Sequence, residues 1–302
     1  MLASRGRTGT DIMTKPLDPR VSRAMRMLEQ LMSEDIDYER VAAAVGLSLY
    51  RFHHLFAEEA SETPGEYLRR IRLDAAALQL RWTRERVGRI AGAVGYASQS
   101  SFNKVFEKRY GMRPIEFRKD RERFPNDPTD SVPDKRVRLV ESPGFRLLAK
   151  RYVGTPCFVP DYWADFLSLL PEGLDSQKRH LFVGVLRDDM RFTPPEQVRY
   201  DCCVTVSEAY ETADIPKLWP ELSLITLEPR LCASMHYKGY YSASDAPGEA
   251  QSISHAYSHL LDCWMTEGRY SFAGDYAAEI YAVPHASCPP QDLECTILAP
   301  VA

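Results

Sequence analysis

The feature that most constrains this chain is an internal repeat. Val41–Arg69 (VAAAVGLSLYRFHHLFAEEASETPGEYLR) and Ile90–Arg118 (IAGAVGYASQSSFNKVFEKRYGMRPIEFR) follow one plan. Each opens with an Ala-rich amphipathic stretch that ends in Val-Gly-apolar, at Val45-Gly46-Leu47 and at Val94-Gly95-Tyr96. Each continues with a Ser-led segment carrying Phe at i and i+4 (Phe52 and Phe56; Phe102 and Phe106), and each closes on a proline with an aromatic three residues on (Pro64 and Tyr67; Pro114 and Phe117). Glycine takes the left-handed backbone that ends a helix within a short turn. Ser48 and Ser98 then suit the cap of the next helix. Phenylalanines four apart turn one face of that helix inward and leave the other free. The pattern therefore predicts helix, tight turn, helix, twice, with Pro64 to Trp82 as one amphipathic helix that sets the separation of the two units. A solenoid of helical repeats fits less well, because such arrays need three or more copies.

Charge supports a division of the chain. The net charge of −4 hides 23 Lys+Arg against 17 Asp+Glu in residues 1–123, an excess of +6, and a balance of −10 in the remainder. A basic region on an acidic chain is an electrostatic footprint of nucleic-acid binding. Between the two parts, Phe124–Lys135 (FPNDPTDSVPDK) holds three prolines, three aspartates and no periodicity, and reads as a linker. The expected organisation is a disordered tail over 1–19 (with Met13 a plausible start), a helical domain over 20–123, a linker over 124–136 and a second domain over 137–302. No apolar run approaches the ~20 residues that cross a bilayer, and the first thirteen residues hold no secretory signal; the cytoplasm is the expected compartment, with no membrane partner. The cysteines, 157, 202, 203, 232, 263, 288 and 295, show neither CxxC nor zinc-type spacing, so free thiols and no structural metal are expected.

The helical region resembles the AraC/XylS-type DNA-binding domain over about 100 residues, most closely in GYASQSSFNKVFEKRYGMRPIEFR (Gly95–Arg118). The resemblance implies that the outer face of each second helix reads double-stranded DNA. It implicates Tyr50, His53 and His54 in the first unit, and Gln99, Ser100, Ser101 and Lys104, with Asn103 nearby, in the second. Gln bridges the N6 and N7 edge of adenine, Lys donates to guanine, and serines hold phosphates or bases. His53 and His54 depart from the Gln/Arg-like donors common in the family, and Lys104 from its usual Arg, so the first unit reads a shorter or different sequence, or its histidines form a solvated face. Adjacent helical residues point about 100° apart, which argues against a metal pair there.

Beyond the linker the pattern doubles again. VRLVESPGFRLLAKRYVG, a helix near Tyr162–Leu170, HLFVGVLRDD and PPEQVRYDCCVTV are answered by LSLITLEPRLCASMHYKG, a helix near Pro247–Met265, AAEIYAVP and PPQDLECTILAPV. This reads as β-α-β-β twice, forming a pseudo-twofold pair of sheets with a cleft between them. The expected fold is thus multidomain: an all-α double helix-turn-helix domain, then an α+β domain of duplicated β-α-β-β units.

The second region resembles the GyrI-like effector domain over about 165 residues, with RDDMRFTPPEQVRYDCCVTV (Arg187–Val206) carrying the likeness. The resemblance implies a small amphipathic ligand, often a cation, held by aromatics and a buried glutamate. AEIYAV (Ala278–Val283) falls on that strand and implicates Glu279, and Tyr281, two residues on, shares its face. A carboxylate among aromatic rings suits a soft cation; an exposed edge-strand acid is the alternative. Tyr152 and Trp163 are candidate pocket residues, as are Glu294, Tyr237 and Trp264, each equally at home in a core.

No GxSxG, HExxH, P-loop or GxGxxG occurs, so neither a catalytic residue nor a cofactor is expected. His255 and His259 stand at i, i+4 on an expected helix, a metal-compatible spacing, but no intervening glutamate is there to activate a water. The expected function is a DNA-binding transcription regulator modulated by a small-molecule effector, with RNA polymerase as a further partner. The alternatives are a small-molecule hydrolase tethered to a DNA-binding domain, with Glu279 as general base, and a constitutive architectural DNA binder.

Overall fold

A computed structural model of the chain describes residues 17–120, 136–170, 174, 180–207, 219–242, 252–265, 270–273 and 276–302. The tail read over 1–19 and the linker read over 124–136 fall almost wholly outside the described residues.

Seven helices build the first region: α1 (Pro19–Gln30), α2 (Tyr38–Ala44), α3 (Leu49–Ala60), α4 (Pro64–Trp82), α5 (Val87–Ala93), α6 (Gln99–Tyr110) and α7 (Pro114–Lys119). Their boundaries follow from local chemistry. Gly46 and Gly95 have φ of 74° and 82°. The amides beyond them, of Leu47 and Tyr96, reach back to the carbonyls of Ala42 and Ala91, each at 2.9 Å, the six-to-one bond of a Schellman ending. Ser48 Oγ and Ser98 Oγ accept from the amides of Arg51 and Ser101. Helix α4 starts in a capping box between Thr63 and Glu66 with Pro64 in its first turn. Its two halves serve two cores: Tyr67, Leu68 and Ile71 pack with Phe52 and Phe56, whereas Leu73, Ala76, Ala77 and Leu80 pack with Phe102, Phe106 and Phe117. One rigid helix therefore holds both helix-turn-helix units.

The second region is α+β. Eight antiparallel strands, β1 (Val137–Ser142), β2 (Phe145–Val153), β3 (Phe182–Leu186), β4 (Arg199–Thr205), β5 (Ser223–Leu227), β6 (Arg230–Lys238), β7 (Ala277–Tyr281) and β8 (Glu294–Pro300), form one sheet in the order β1-β6-β8-β7-β3-β4-β2-β5. Helix α8 (Val159–Ser168) lies between β2 and β3 in the chain, and α9 (Ile253–Ser258), continued by a π-helical turn over His259–Trp264, lies between β6 and β7. The helix expected near Tyr162–Leu170 thus starts earlier; the one expected over Pro247–Met265 is described from Ser252, its first residues lying outside the described set. Two further differences stand out. The run expected as one strand over Val137–Gly154 is broken at Pro143-Gly144, where Gly144 has φ 79°, and Glu228-Pro229 interrupts the matching run between β5 and β6. The expected pair of sheets is a single sheet, because β3 pairs with β7 along its full length.

Leu148, Tyr152, Tyr200, Cys202, Tyr281 and Ile297, on one face of the sheet, pack with α8 and α9 in the largest core, which also takes in Trp82 from α4. Leu147, Ala149, Val183, Val185 and Cys203 form a second core on the other face.

Candidate functional site: recognition helices and an interdomain cavity

The outer face of α3 exposes Tyr50, Arg51 and His54. Tyr50 is 74% exposed and its ring leans on His54 at 4.3 Å. His53 is half-buried against Tyr38 and the edge of Phe52. On α6, Gln99, Ser100, Ser101 and Lys104 are exposed and Asn103 is half-buried. Ser101 is occupied locally: its hydroxyl donates to Ser98 O at 2.9 Å and accepts from Ser98 Oγ at 3.0 Å. Arg51, in the first turn of α3, Arg86, at the N-cap of α5, and Arg89, within α5, add exposed positive charge outside the sequence-derived contact set.

A cavity of about 430 Å³ opens between the two regions. Its walls include Tyr200, Tyr241 and Tyr257, then Asp189 and Arg191, and, from helix α4, Leu78 and Trp82. Glu279 lies behind the tyrosines. It is fully buried on a central strand, which removes the edge-strand alternative. Its Oε2 accepts from Tyr200 and Tyr281 hydroxyls, each at 2.8 Å, and its Oε1 from Tyr257 at 3.0 Å. Burial pushes its carboxyl up to about 7, against the opposing pull of the surrounding tyrosine hydroxyls. The register explains the space: Glu279 faces Gly184 on β3, and a Cβ there would lie 2.0 Å from Tyr200 Oη and 2.9 Å from Glu279 Oε2. Close by, His285 approaches Tyr281 Oη at 3.3 Å, and burial brings its imidazole down to about 3.

Among the sequence-derived pocket residues, Glu279 and Tyr281 meet directly, whereas neither lines the cavity. Trp163, also fully buried, donates from Nε1 to Tyr200 Oη at 3.3 Å and so supports the cluster from behind. Tyr152 stacks on Tyr162 and donates to Asp165. His255 holds the start of α9 through Ser252. Among the described residues no group of three or more His, Cys, Asp or Glu side chains is placed to hold a metal, and no helix is long and apolar enough to cross a membrane.

The two regions meet through buried charge. Arg151 on β2 and Asp201 on β4 are fully buried and paired. Arg151 also bonds Glu29 of α1, Arg199 reaches Glu29 at 3.0 Å, and Arg26 reaches Asp201 at 3.3 Å. Burial opposes ionisation of Glu29, yet Arg151, Arg199 and Arg187 hold its carboxyl well below the usual range. Asp201 is lowered in the same way, chiefly by Arg151 against the cost of burial.

Comparison with known proteins agrees with both halves. Residues 41–120 match a family described as a helix-turn-helix domain, and residues 135–302 match the GyrI-like small molecule binding domain. The regulatory protein SoxS of Salmonella typhimurium is 31% identical over 91 residues, 30% of this chain and 85% of SoxS. The chain belongs to the AraC family and carries a GyrI-like domain. The transcriptional activator RhaS of an Enterobacter species is 33% identical over 105 residues, 35% of this chain. The match spans 38% of that RhaS, so this chain covers well under half the length of that relative. The EcmrR C-terminal domain aligns over 55% of this chain and 97% of its own, at 15% identity and a TM-score of 0.39.

Proposed function

We propose that this AraC-type chain with a GyrI-like domain is a cytoplasmic transcription regulator. The helical domain, taken as 20–123, binds duplex DNA, and the domain taken as 137–302 binds a small amphipathic cation that modulates it. The observation that carries the ligand half is a buried carboxylate placed directly behind cavity-lining tyrosines. Ring faces attract a soft cation, and Glu279 supplies the countercharge one ring deeper, where the low local dielectric strengthens it. The DNA half is supported by two recognition helices fixed to one helix, with Tyr50, His53, His54, Gln99, Ser100, Ser101, Asn103 and Lys104 as the proposed contact set. RNA polymerase is a further partner in this reading.

Turnover is the weaker reading. Glu279 is fully buried behind the cavity wall and already accepts from three tyrosine hydroxyls, so its carboxylate does not meet a water in the cavity, as a general base requires. The test is calorimetric titration of the wild type and Glu279→Gln with benzyltrimethylammonium and its neutral isostere neopentylbenzene. Selective loss of the cation is expected. Equal loss of both would make Glu279 structural, and no loss of either would place the ligand elsewhere.

A further inference from the structure

The wall that faces the tyrosines belongs to the other domain. Leu78 and Trp82 lie in the last turns of α4, the helix that holds both helix-turn-helix units. Trp82 is 5% exposed and is gripped by the effector domain on three sides. Its Nε1 donates to Asp262 Oδ1 at 3.4 Å. Its carbonyl accepts from the Phe272 amide at 3.3 Å, and its ring meets Phe272 edge-on at 6.0 Å. The Arg191 guanidinium sits over the indole, 5.1 Å from the ring centre. Arg191 is itself held by Asp189 at 2.6 Å and by Asp262, and Asp262 also takes Arg81 of α4 at 3.5 Å. Arg191, Asp189, Phe272 and Trp82 all line the cavity. An internal cation thus occupies the ring face that an external aromatic cation would seek.

We propose that the effector site is an interdomain site in which Trp82 of α4 contacts the ligand, and that a bound cation displaces Arg191 from the Trp82 ring. This rests on the reading of the cavity as an effector site. Displacement leaves Arg191 on Asp189 and loosens its share of the bond network at Asp262, to which Arg81 and Trp82 of α4 are tied. Occupancy is thereby read by the helix that spaces the recognition helices, with no relay through the sheet. The coupling has a physical basis because the two states differ in contacts that the ligand itself makes.

The full chain is titrated calorimetrically with benzyltrimethylammonium and neopentylbenzene, and its affinity for a duplex selected from a random pool is measured with and without the cation. Leu78→Trp fills the cavity from the α4 side, and is expected to weaken both compounds tenfold or more with an unchanged melting temperature and ligand-free duplex affinity. Arg191→Gln removes the internal competitor, and is expected to tighten the cation about fivefold, a gain that mere structural damage would not produce. Trp82→Phe added to Arg191→Gln is expected to erase most of that gain, since indole is the better cation partner. Saturating cation is expected to shift wild-type duplex affinity threefold or more, and the shift to shrink below twofold in Arg191→Gln. If the wild type binds the cation but Leu78→Trp binds as tightly, or Arg191→Gln shows no gain, the interdomain proposal is overturned and the effector reading stands. If the wild type takes up neither compound, the effector reading falls first and this proposal with it.

Discussion

Glu279→Gln is expected to stabilise the protein above neutral pH while removing its preference for a cation. The folded-state carboxyl titrates at about 7 against an ordinary 4.5. Below 4.5 both folded and unfolded states hold the proton and burial has no ionic cost. Between 4.5 and 7 the unfolded chain ionises while the folded protein keeps its proton, so this group's contribution falls as pH rises, and is lost above 7. At ~1.4 kcal/mol per pKa unit the loss is about 3 kcal/mol. His285 acts with the opposite sign. Its imidazole is lowered to about 3, so its contribution is full above the ordinary histidine value near 6.5 and is lost as pH falls toward 3. The wild-type profile alone is therefore a sum of opposed slopes, but His285 is common to both proteins and cancels in the difference. Glutamine keeps an acceptor for the tyrosine hydroxyls and cannot ionise. The assay is thermal unfolding of both proteins from pH 5 to pH 8. The variant's advantage should grow across that range to roughly 6–12 °C, at ~2–4 °C per kcal/mol for a domain of this size. Benzyltrimethylammonium, which favours the ionised form, should narrow the gap. A difference that stays flat with pH would refute the reasoning, because it would mean that Glu279 ionises in the folded state as easily as in the unfolded chain.

Affinity of the full chain for duplex DNA should fall steeply with salt, with a log–log slope of about −0.9 per phosphate neutralised; a flat response in an anisotropy titration would count against the DNA half. Gln99→Ala with Lys104→Ala should cost ~1–3 kcal/mol per base contact and relax preference at one stretch of the site, whereas His53→Ala with His54→Ala should act about one helical turn away; disturbance of the same base pairs by both would undo the two-helix docking. Gly184→Ala should lower the melting temperature and push the Tyr200 hydroxyl out of the cluster, given the 2.0 Å approach of a Cβ to Tyr200 Oη; an unchanged melt would show that the cluster has slack. Asp201→Asn should cost about 3–5 kcal/mol by leaving Arg151 buried with an incomplete countercharge, read as the denaturant midpoint at constant slope.

Most of the helical domain was legible because its signals are local. The glycine-serine turns, the proline that opens α4 and the spacing of the phenylalanines lie within a few residues of the boundaries they set. The sheet was less so. Whether Pro143-Gly144 is a kink within a strand or a break between two depends on the distant β6 that accepts β1, and a period-two pattern names a face without naming a partner. Glu279 and Tyr281 were found from the strand and from the family likeness, but Tyr200, Tyr241 and Tyr257 come from three separate segments that only the fold brings to one carboxylate.

The residues least visible in the sequence are those that serve two domains. Leu78 and Trp82 continue the apolar stripe of α4, so their periodicity is accounted for by a helix core; nothing local says that the last turns face a cavity of another domain. The ionic junction left a clearer trace. Lys150-Arg151 in β2 and Arg199 with Asp201 in β4 place charges within otherwise apolar strands, and both strands are buried along nearly all their length. Taking a carboxylate or a guanidinium out of water costs several kcal/mol unless it is paired. Charges at such positions therefore require partners, and with Arg151 facing away from the Tyr152 side of the strand, its partners lie on that second face, in the neighbouring strand or in whatever covers it. Here Asp201 of β4 supplies one, and α1 completes the set, its Glu29 pairing with Arg151 and its Arg26 with Asp201. Buried charges in a two-sided strand thus point to a docked element even where the sequence does not say which one, and in this chain that element is α1, the first helix of the helical region.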